Sequence, residues 1–204
     1  IIFIIYTILA FLNTLYSRGM DAALFKFYNQ DNSIISTSTS LLYSIKHGGI
    51  LSIVLWIIAG TCFATGLIEH HAISWIILIG LILVLFCDML SSRCMSILRL
   101  ENKPFYYLWA SLANVAATII LNIWFLSYQK MGINGAIWAI IIASLIQIII
   151  LLPILFRSIN LSQNKASLLL QMKTFSWPFL PAAIFLILIE LSDRWLIGIL
   201  SLQG

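Results

Sequence analysis

Charge is what this sequence has least of. Of its 204 residues, 9% are Asp, Glu, Lys or Arg, eleven basic and seven acidic, against 62% hydrophobic. A soluble domain usually holds about 25% charged and about 45–50% apolar residues, and it needs the charged ones to cover its core. A water-soluble globule is thereby excluded, and lipid is expected to solvate most of the surface. Four prolines and ten glycines leave no room for a collagen-like or low-complexity chain. The three cysteines, Cys62, Cys87 and Cys94, lie in or beside apolar runs without zinc-ligand spacing and read as packing residues with free thiols.

Functional motifs are equally sparse. There is no glycine-rich phosphate loop, no H-E-x-x-H and no G-x-S-x-G, so neither a nucleotide-driven pump nor an intramembrane hydrolase has visible machinery, and no cofactor is expected. Glu69-His70-His71 lacks a second ligand pair and reads as a solvated loop. The net charge of +4 comes from basic residues scattered singly between apolar blocks, so nucleic acid is not an expected partner. The opening run Ile1-Ile2-Phe3-Ile4-Ile5 has neither a basic region before it nor a small-residue cleavage site. It is not expected to be a signal peptide, and the chain is expected to be an internal piece of a longer one.

What the sequence does contain is long apolar runs. A helix needs about 20 apolar residues to cross roughly 30 Å of hydrocarbon, and at that length six spans are predicted: 1–17, 50–68, 72–90, 105–128, 133–156 and 178–200. Alternating ten-residue strands are missing, which argues against a β-barrel. Continuous runs such as Ile148-Ile149-Ile150-Leu151-Leu152 suit helices wetted by lipid. The expected fold is all-α, a polytopic membrane helical bundle.

Lys and Arg fix its orientation. With the first span running toward the cytoplasm, that side holds Arg18, Lys26, Lys46, Arg93, Arg99, Lys103, Arg157, Lys165 and Lys173, while the other side holds only Lys130. Such an asymmetry is the positive-inside signature. The outer links, around Glu69-His70-His71 and Gln129-Lys130-Met131-Gly132, are short, so spans two and three, and four and five, are expected to form tight hairpins. On the cytoplasmic side the first helix is expected to run on through Arg18 to Tyr28, ahead of a polar stretch from Asn29 to Ser40. The third is expected to continue to about Asn102, before Pro104 opens the next helix. Small residues at four-residue spacing, Gly135/Ala139/Ala143 and Ala113/Ala117, predict close packing of spans four and five.

Charges inside or at the edge of a span usually face a bundle interior or a water-filled cavity, and three groups qualify. Glu190, Asp193 and Arg194 sit in the last span on one arc of the helix, with Glu190 and Arg194 in the favourable i,i+4 order. Asp88, Ser92, Met95 and Arg99 share a face of the third span, and Arg93 points elsewhere. Asn13, Ser17 and Asp21 share a face of the first, with Arg18 and Lys26 close by. At the span ends, snorkelling to the headgroups competes with a functional role. Asn114, Asn122 and Gln147 read as interhelical hydrogen-bond partners.

The stretches Arg18-Gly19-Met20-Asp21-Ala22-Ala23-Leu24-Phe25-Lys26-Phe27-Tyr28, Leu98-Arg99-Leu100-Glu101-Asn102-Lys103-Pro104, Gly132-Ile133-Asn134-Gly135-Ala136, Ser176-Trp177-Pro178-Phe179-Leu180-Pro181 and Leu191-Ser192-Asp193-Arg194 follow one another in order. In that order the chain resembles the polysaccharide biosynthesis proteins, the O-antigen and lipid-linked oligosaccharide flippases of the multidrug/oligosaccharidyl-lipid/polysaccharide exporter superfamily. The charged Arg18 and Asp21 stand where that family usually has a small, Gly-rich approach. The resemblance implies a two-lobed carrier of twelve to fourteen helices in the cell inner membrane. Residues 1–157 would then be five helices of the N-terminal lobe, 158–173 a cytoplasmic interlobe linker, and 174–204 the first helix of the C-terminal lobe. It also implies a lipid-linked oligosaccharide as substrate, with Arg18, Lys26, Arg93 and Arg99 facing its phosphates and Glu190 or Asp193 coupling transport to protons or sodium. The related expectations are a peptidoglycan-precursor flippase and a multidrug/cation antiporter. A membrane-embedded glycosyltransferase or polymerase is a different class, disfavoured by the short outer loops.

Overall fold

The computed structural model describes residues 2–28, 33–65, 75–160 and 166–189, and every regular element among them is helical. In order these are α1 (Ile2–Ser17), α2 (Met20–Phe27), α3 (Ser33–Ala64), α4 (Trp75–Leu100), α5 (Pro104–Ile123), α6 (Gly132–Ser158), α7 (Ala166–Ser176) and α8 (179–189). Five stretches are long and apolar enough to cross a bilayer: Ser33–Cys62, Ile77–Leu100, Pro104–Tyr128, Gly132–Ser158 and Ala166–Ile189. The chain is thus built as a multi-pass, all-helical membrane protein.

Three local features depart from the expected spans. The first helix does not run through to Tyr28. Arg18 (φ 46°) and Gly19 (φ 63°) both take left-handed backbone, which ends α1 and restarts the chain as α2 in a new direction. Gly adopts that conformation freely, whereas Arg does so at a cost. Gly19 also abuts the junction of α7 and α8: a Cβ there would lie 2.6 Å from Phe179 Cβ and 3.0 Å from the Ser176 carbonyl.

The second departure is in α3, which begins at Ser33 and continues unbroken through the predicted span 50–68 as far as Ala64. The polar stretch before that span is therefore not a solvated connection, because Ser36, Thr37, Ser38, Thr39 and Ser40 are all buried. Two of these hydroxyls bond back into their own helix. Ser36 and Thr37 donate to the Ser33 carbonyl at 3.0 and 2.9 Å. Ser38 bonds the end of α6 instead: its Oγ donates to the Asn160 carbonyl at 2.8 Å and accepts from the Asn160 N–H at 2.9 Å. Lys46, placed by the sequence in a connection, is an exposed residue of this helix.

Third, the late polar region is helical over Ala166–Ser176, and its chain turns at Trp177 and Pro178 into α8. The candidate span at that end begins at Ala166, ahead of the expected start at 178, and is described as far as Ile189; residues 190–200 of the expected span lie outside the described residues.

Elsewhere the sequence cues act as expected. Pro104 opens α5, where its missing N–H costs nothing. After α5 a π-helical turn, Trp124–Tyr128, leads through Lys130 (φ 52°) and Gly132 (φ 57°) into α6, which makes the tight hairpin. Helices α5 and α6 pack together, and α6 packs as extensively on α4. The small residues are at these crossings: Ala139 and Ala143 are buried, and a Cβ on Gly135 would meet Phe125 Cβ at 2.9 Å. Without a hydrophobic force between helices in lipid, such close approach is what holds a bundle together. One apolar core gathers Met20, Leu24, Leu41, Ile97, Leu151 and Met172 from α2, α3, α4, α6 and α7. The outward faces, such as Phe105, Trp109, Ile119 and Ile120 of α5, are exposed and apolar, as a lipid-facing surface must be.

Candidate functional site

The break after α1 brings Asp21 against α4. Arg93, 1% exposed, forms an ion pair with the Asp21 carboxylate through Nη1. It also donates from Nη2 to the Ser17 carbonyl at 2.6 Å and from Nε to Ser44 Oγ at 3.0 Å. The same carboxylate accepts hydroxyl hydrogen bonds from Ser96 at 2.9 Å, Ser92 at 3.2 Å and Ser17 at 3.4 Å. Two charges removed from water are tolerable only when their remaining polar atoms are satisfied in this way. The network joins α1, α2, α3 and α4, so Arg93 and Asp21 hold the helix break in place, with the guanidinium facing no open surface.

Beside that break is a pocket of about 200 Å³ lined by Arg18, Tyr43, Lys173, Ser176, Trp177 and Leu180. Arg18 Nη1 donates to the Tyr43 hydroxyl at 3.3 Å, and the Lys173 ammonium stands 4.6 Å from the Tyr43 ring centre. His47 stacks on the other part of that wall, its ring 5.6 Å from Tyr43 and nearly parallel at 5°. No carboxylate is among the lining residues. Two cations therefore share one small concavity, and their mutual repulsion favours an anion between them.

A second polar concavity, of about 370 Å³, opens among α1, α4, α5 and α6. Asp88 is its one charged residue, and its Oδ1 accepts from the Ser144 hydroxyl at 2.8 Å. Asn13, Asn114 and Gln147, each from a different helix, converge on the same space. Two larger grooves, about 410 and 420 Å³, are lined almost wholly by apolar side chains such as Ile57, Phe86, Leu55 and Leu81, and face the expected lipid.

The remaining predicted residues lie at the helix ends. Lys26 stacks its ammonium 4.0 Å from the Phe175 ring centre. Arg99 lies 4.6 Å over the Tyr107 ring and hydrogen-bonds its hydroxyl, so it stands apart from Asp88, Ser92 and Met95, which do line one cleft. Glu101 pairs with Lys103 at 2.5 Å and with Arg157 at 3.9 Å. Glu190, Asp193 and Arg194, like Glu69-His70-His71, lie outside the described residues.

Sequence reasoning did not single out Tyr43 or Lys173, because each is one polar residue in a helix whose partner is far away in sequence. Asn13, Asn114 and Gln147 had only the weak signal of being amides within apolar runs. Comparisons of the chain with protein-family models, curated proteins and solved structures return no match.

Proposed function

We propose that this chain is part of a carrier that turns a lipid-linked oligosaccharide, an O-antigen or other surface polysaccharide repeat unit, from the cytoplasmic to the outer leaflet of the cell inner membrane. The observation that carries this reading is the carboxylate-free pocket of Arg18, Tyr43 and Lys173 within a bundle whose outer faces are apolar. A phosphate-linked sugar head cannot cross hydrocarbon unaided, since its charge would lose its hydration. Arg and Lys offset that loss by charge-assisted hydrogen bonds to phosphate oxygens, the Arg in a fork and the Lys as a point charge. The lipid tail stays in the bilayer beside the apolar helices while the head occupies the polar interior.

In this mechanism Arg18 and Lys173 receive the anionic group, with Tyr43 holding the guanidinium and the ammonium in place from the wall between them. Lys26 and Arg99, on aromatic platforms near the cytoplasmic ends, guide the head toward that pocket. Arg93 and Asp21 position the helix break from which Arg18 projects. The two lobes rock about the bound head to give alternating access, and an ion gradient drives the cycle. By the family resemblance Glu190, Asp193 and Arg194, outside the described residues, would add to this path. The chain carries out no covalent chemistry; it is a transporter, not an enzyme.

Complementation tests this reading. In a strain lacking its own flippase, the gene encoding this chain restores surface polysaccharide, and Arg18→Ala with Lys173→Ala abolishes the restoration at equal membrane abundance. Full polysaccharide from that double variant would overturn the proposed pocket.

A further inference from the structure

The apolar groove of about 410 Å³ between α3 and α4 has no part in holding an anionic cargo head, yet it is more than plain lipid-facing surface. Gly49, Ile53 and Ile57 of α3 form one wall, and Ile79, Leu83 and Phe86 of α4 form the other. Apart from the Trp56 indole, the lining departs from apolar only at Ser52, whose hydroxyl is bonded to that of Tyr16 at 2.8 Å. A Cβ on Gly48 would lie 3.2 Å from Phe86 Cδ2, which puts Phe86 at the same end of the groove as Gly49. That end is open, since a Cβ on Gly49 would have nothing within 4 Å.

A cation stands above this opening. Lys46, Gly49, Ile53 and Ile57 follow one another at spacings of three and four residues and so share one face of α3. Lys46 is exposed, and among the described residues no carboxylate pairs with it. Helical side chains lean toward the N-terminus of their helix, which in α3 is the cytoplasmic end predicted from the basic residues. The ammonium therefore leans out of the hydrocarbon toward the headgroups, while the stem of the side chain stays on the helix. Below it the groove follows α3 from Gly49 to Ile57, about 12 Å at 1.5 Å per residue. One leaflet of hydrocarbon is about 15 Å deep, half of the whole core. The groove thus suits an acyl chain that ends within its own leaflet, and a long polyprenyl tail would overrun it.

We propose that this groove and Lys46 form a binding site for one anionic glycerophospholipid of the cytoplasmic leaflet. Its phosphodiester pairs with the Lys46 ammonium, and one acyl chain lies along Gly49, Ile53 and Ile57. The seated chain supplies dispersion contacts that α3 and α4 do not make with each other there. This lipid is a resident of the bundle and not its cargo, so the site goes beyond the carrier reading and stands without the Arg18 pocket.

Native mass spectrometry of the purified full chain, released from detergent with phosphatidylglycerol or phosphatidylcholine of matched acyl chains, tests the proposal. One phosphatidylglycerol is expected to be retained, with a preference over phosphatidylcholine of roughly fivefold, the effect of one Lys at an anionic headgroup. Lys46→Ala removes the preference but still retains one lipid of either kind. Ile53→Trp, at an exposed position of α3, fills the groove and lowers the retention of both. Arg157→Ala, a basic residue elsewhere on the predicted cytoplasmic side, leaves the preference unchanged. Equal retention of the two lipids by the unaltered chain would overturn the proposal, as would an undiminished preference in Lys46→Ala or full retention in Ile53→Trp. So would an equal loss of preference in Arg157→Ala, which would make the effect one of general surface charge. Displacement of phosphatidylglycerol by an equimolar polyprenyl phosphate would also overturn it, by making the groove a seat for cargo. Complementation is read separately: its failure with phosphatidylglycerol still retained would remove the flippase reading and keep this site.

Discussion

The buried pair of Arg93 and Asp21 permits a prediction in which the order of three variants matters more than any single value. Arg93 is 1% exposed and Asp21 is 26% exposed, so the two halves of the pair are not equivalent when the other is removed. Asp21→Asn leaves a guanidinium in the interior with only neutral acceptors, the Ser17 carbonyl and the Ser44 hydroxyl. An unpaired buried charge of this kind costs about 3–5 kcal/mol. Arg93→Met leaves a carboxylate that reaches water at one edge and still receives the Ser96, Ser92 and Ser17 hydroxyls. That loss is expected at about 1–3 kcal/mol. The double variant has neither charge and is expected to be more stable than Asp21→Asn alone, with a coupling energy of about 1–3 kcal/mol. Reversible unfolding of the purified protein by SDS titration from mixed micelles measures all four corners of the cycle. If both single variants fall within about 0.5 kcal/mol of the unaltered chain, or if their effects simply add, the pair does not hold the helix break and the reasoning fails.

Gly19→Ala is expected to lower stability by about 1–3 kcal/mol, because φ is +63° and the added Cβ would meet Phe179 at 2.6 Å. Gly49→Ala, in α3 with nothing within 4 Å of its Cβ, is expected to raise it by about 0.5–1 kcal/mol, and thermal midpoints of the two variants separate the cases. Ser38→Ala removes both hydrogen bonds to the Asn160 backbone and is expected to cost about 1–2 kcal/mol, read as faster proteolysis of the connection after α6. In a cysteine-free background, Tyr128→Cys is expected to react with an impermeant maleimide added outside intact cells, and Asn102→Cys only after permeabilisation. The reverse pattern would invert the orientation drawn from the basic residues.

The sequence by itself determined the solvent and the secondary structure, and its basic residues predict the orientation. With 62% hydrophobic and 9% charged residues, only a bilayer can solvate the chain, and a backbone in hydrocarbon must satisfy its hydrogen bonds within helices. These are properties of composition and run length, so they need no knowledge of neighbours. The hairpin at Gln129–Gly132 and the start of α5 at Pro104 were legible for a related reason, since turn residues act locally. The separation of Arg93 from the face of Asp88 followed from helical periodicity alone.

Tertiary structure decided what each polar residue does. The stretch Ser36–Ser40 reads as solvated by composition but is interior, where Ser36 and Thr37 bond to their own helix and Ser38 to Asn160. Arg18, Asp21 and Arg93 look alike as charges near span ends. The left-handed break at Arg18 and Gly19 turns Asp21 onto Arg93 and leaves Arg18 to meet Tyr43 and Lys173, residues 25 and 155 positions away in the chain. Likewise the amides of Asn13, Asn114 and Gln147 acquire meaning only where four helices cross beside Asp88. Burial and pairing depend on which faces meet, and in lipid those faces are selected by close packing and polar contacts between helices rather than by the hydrophobicity that a sequence displays.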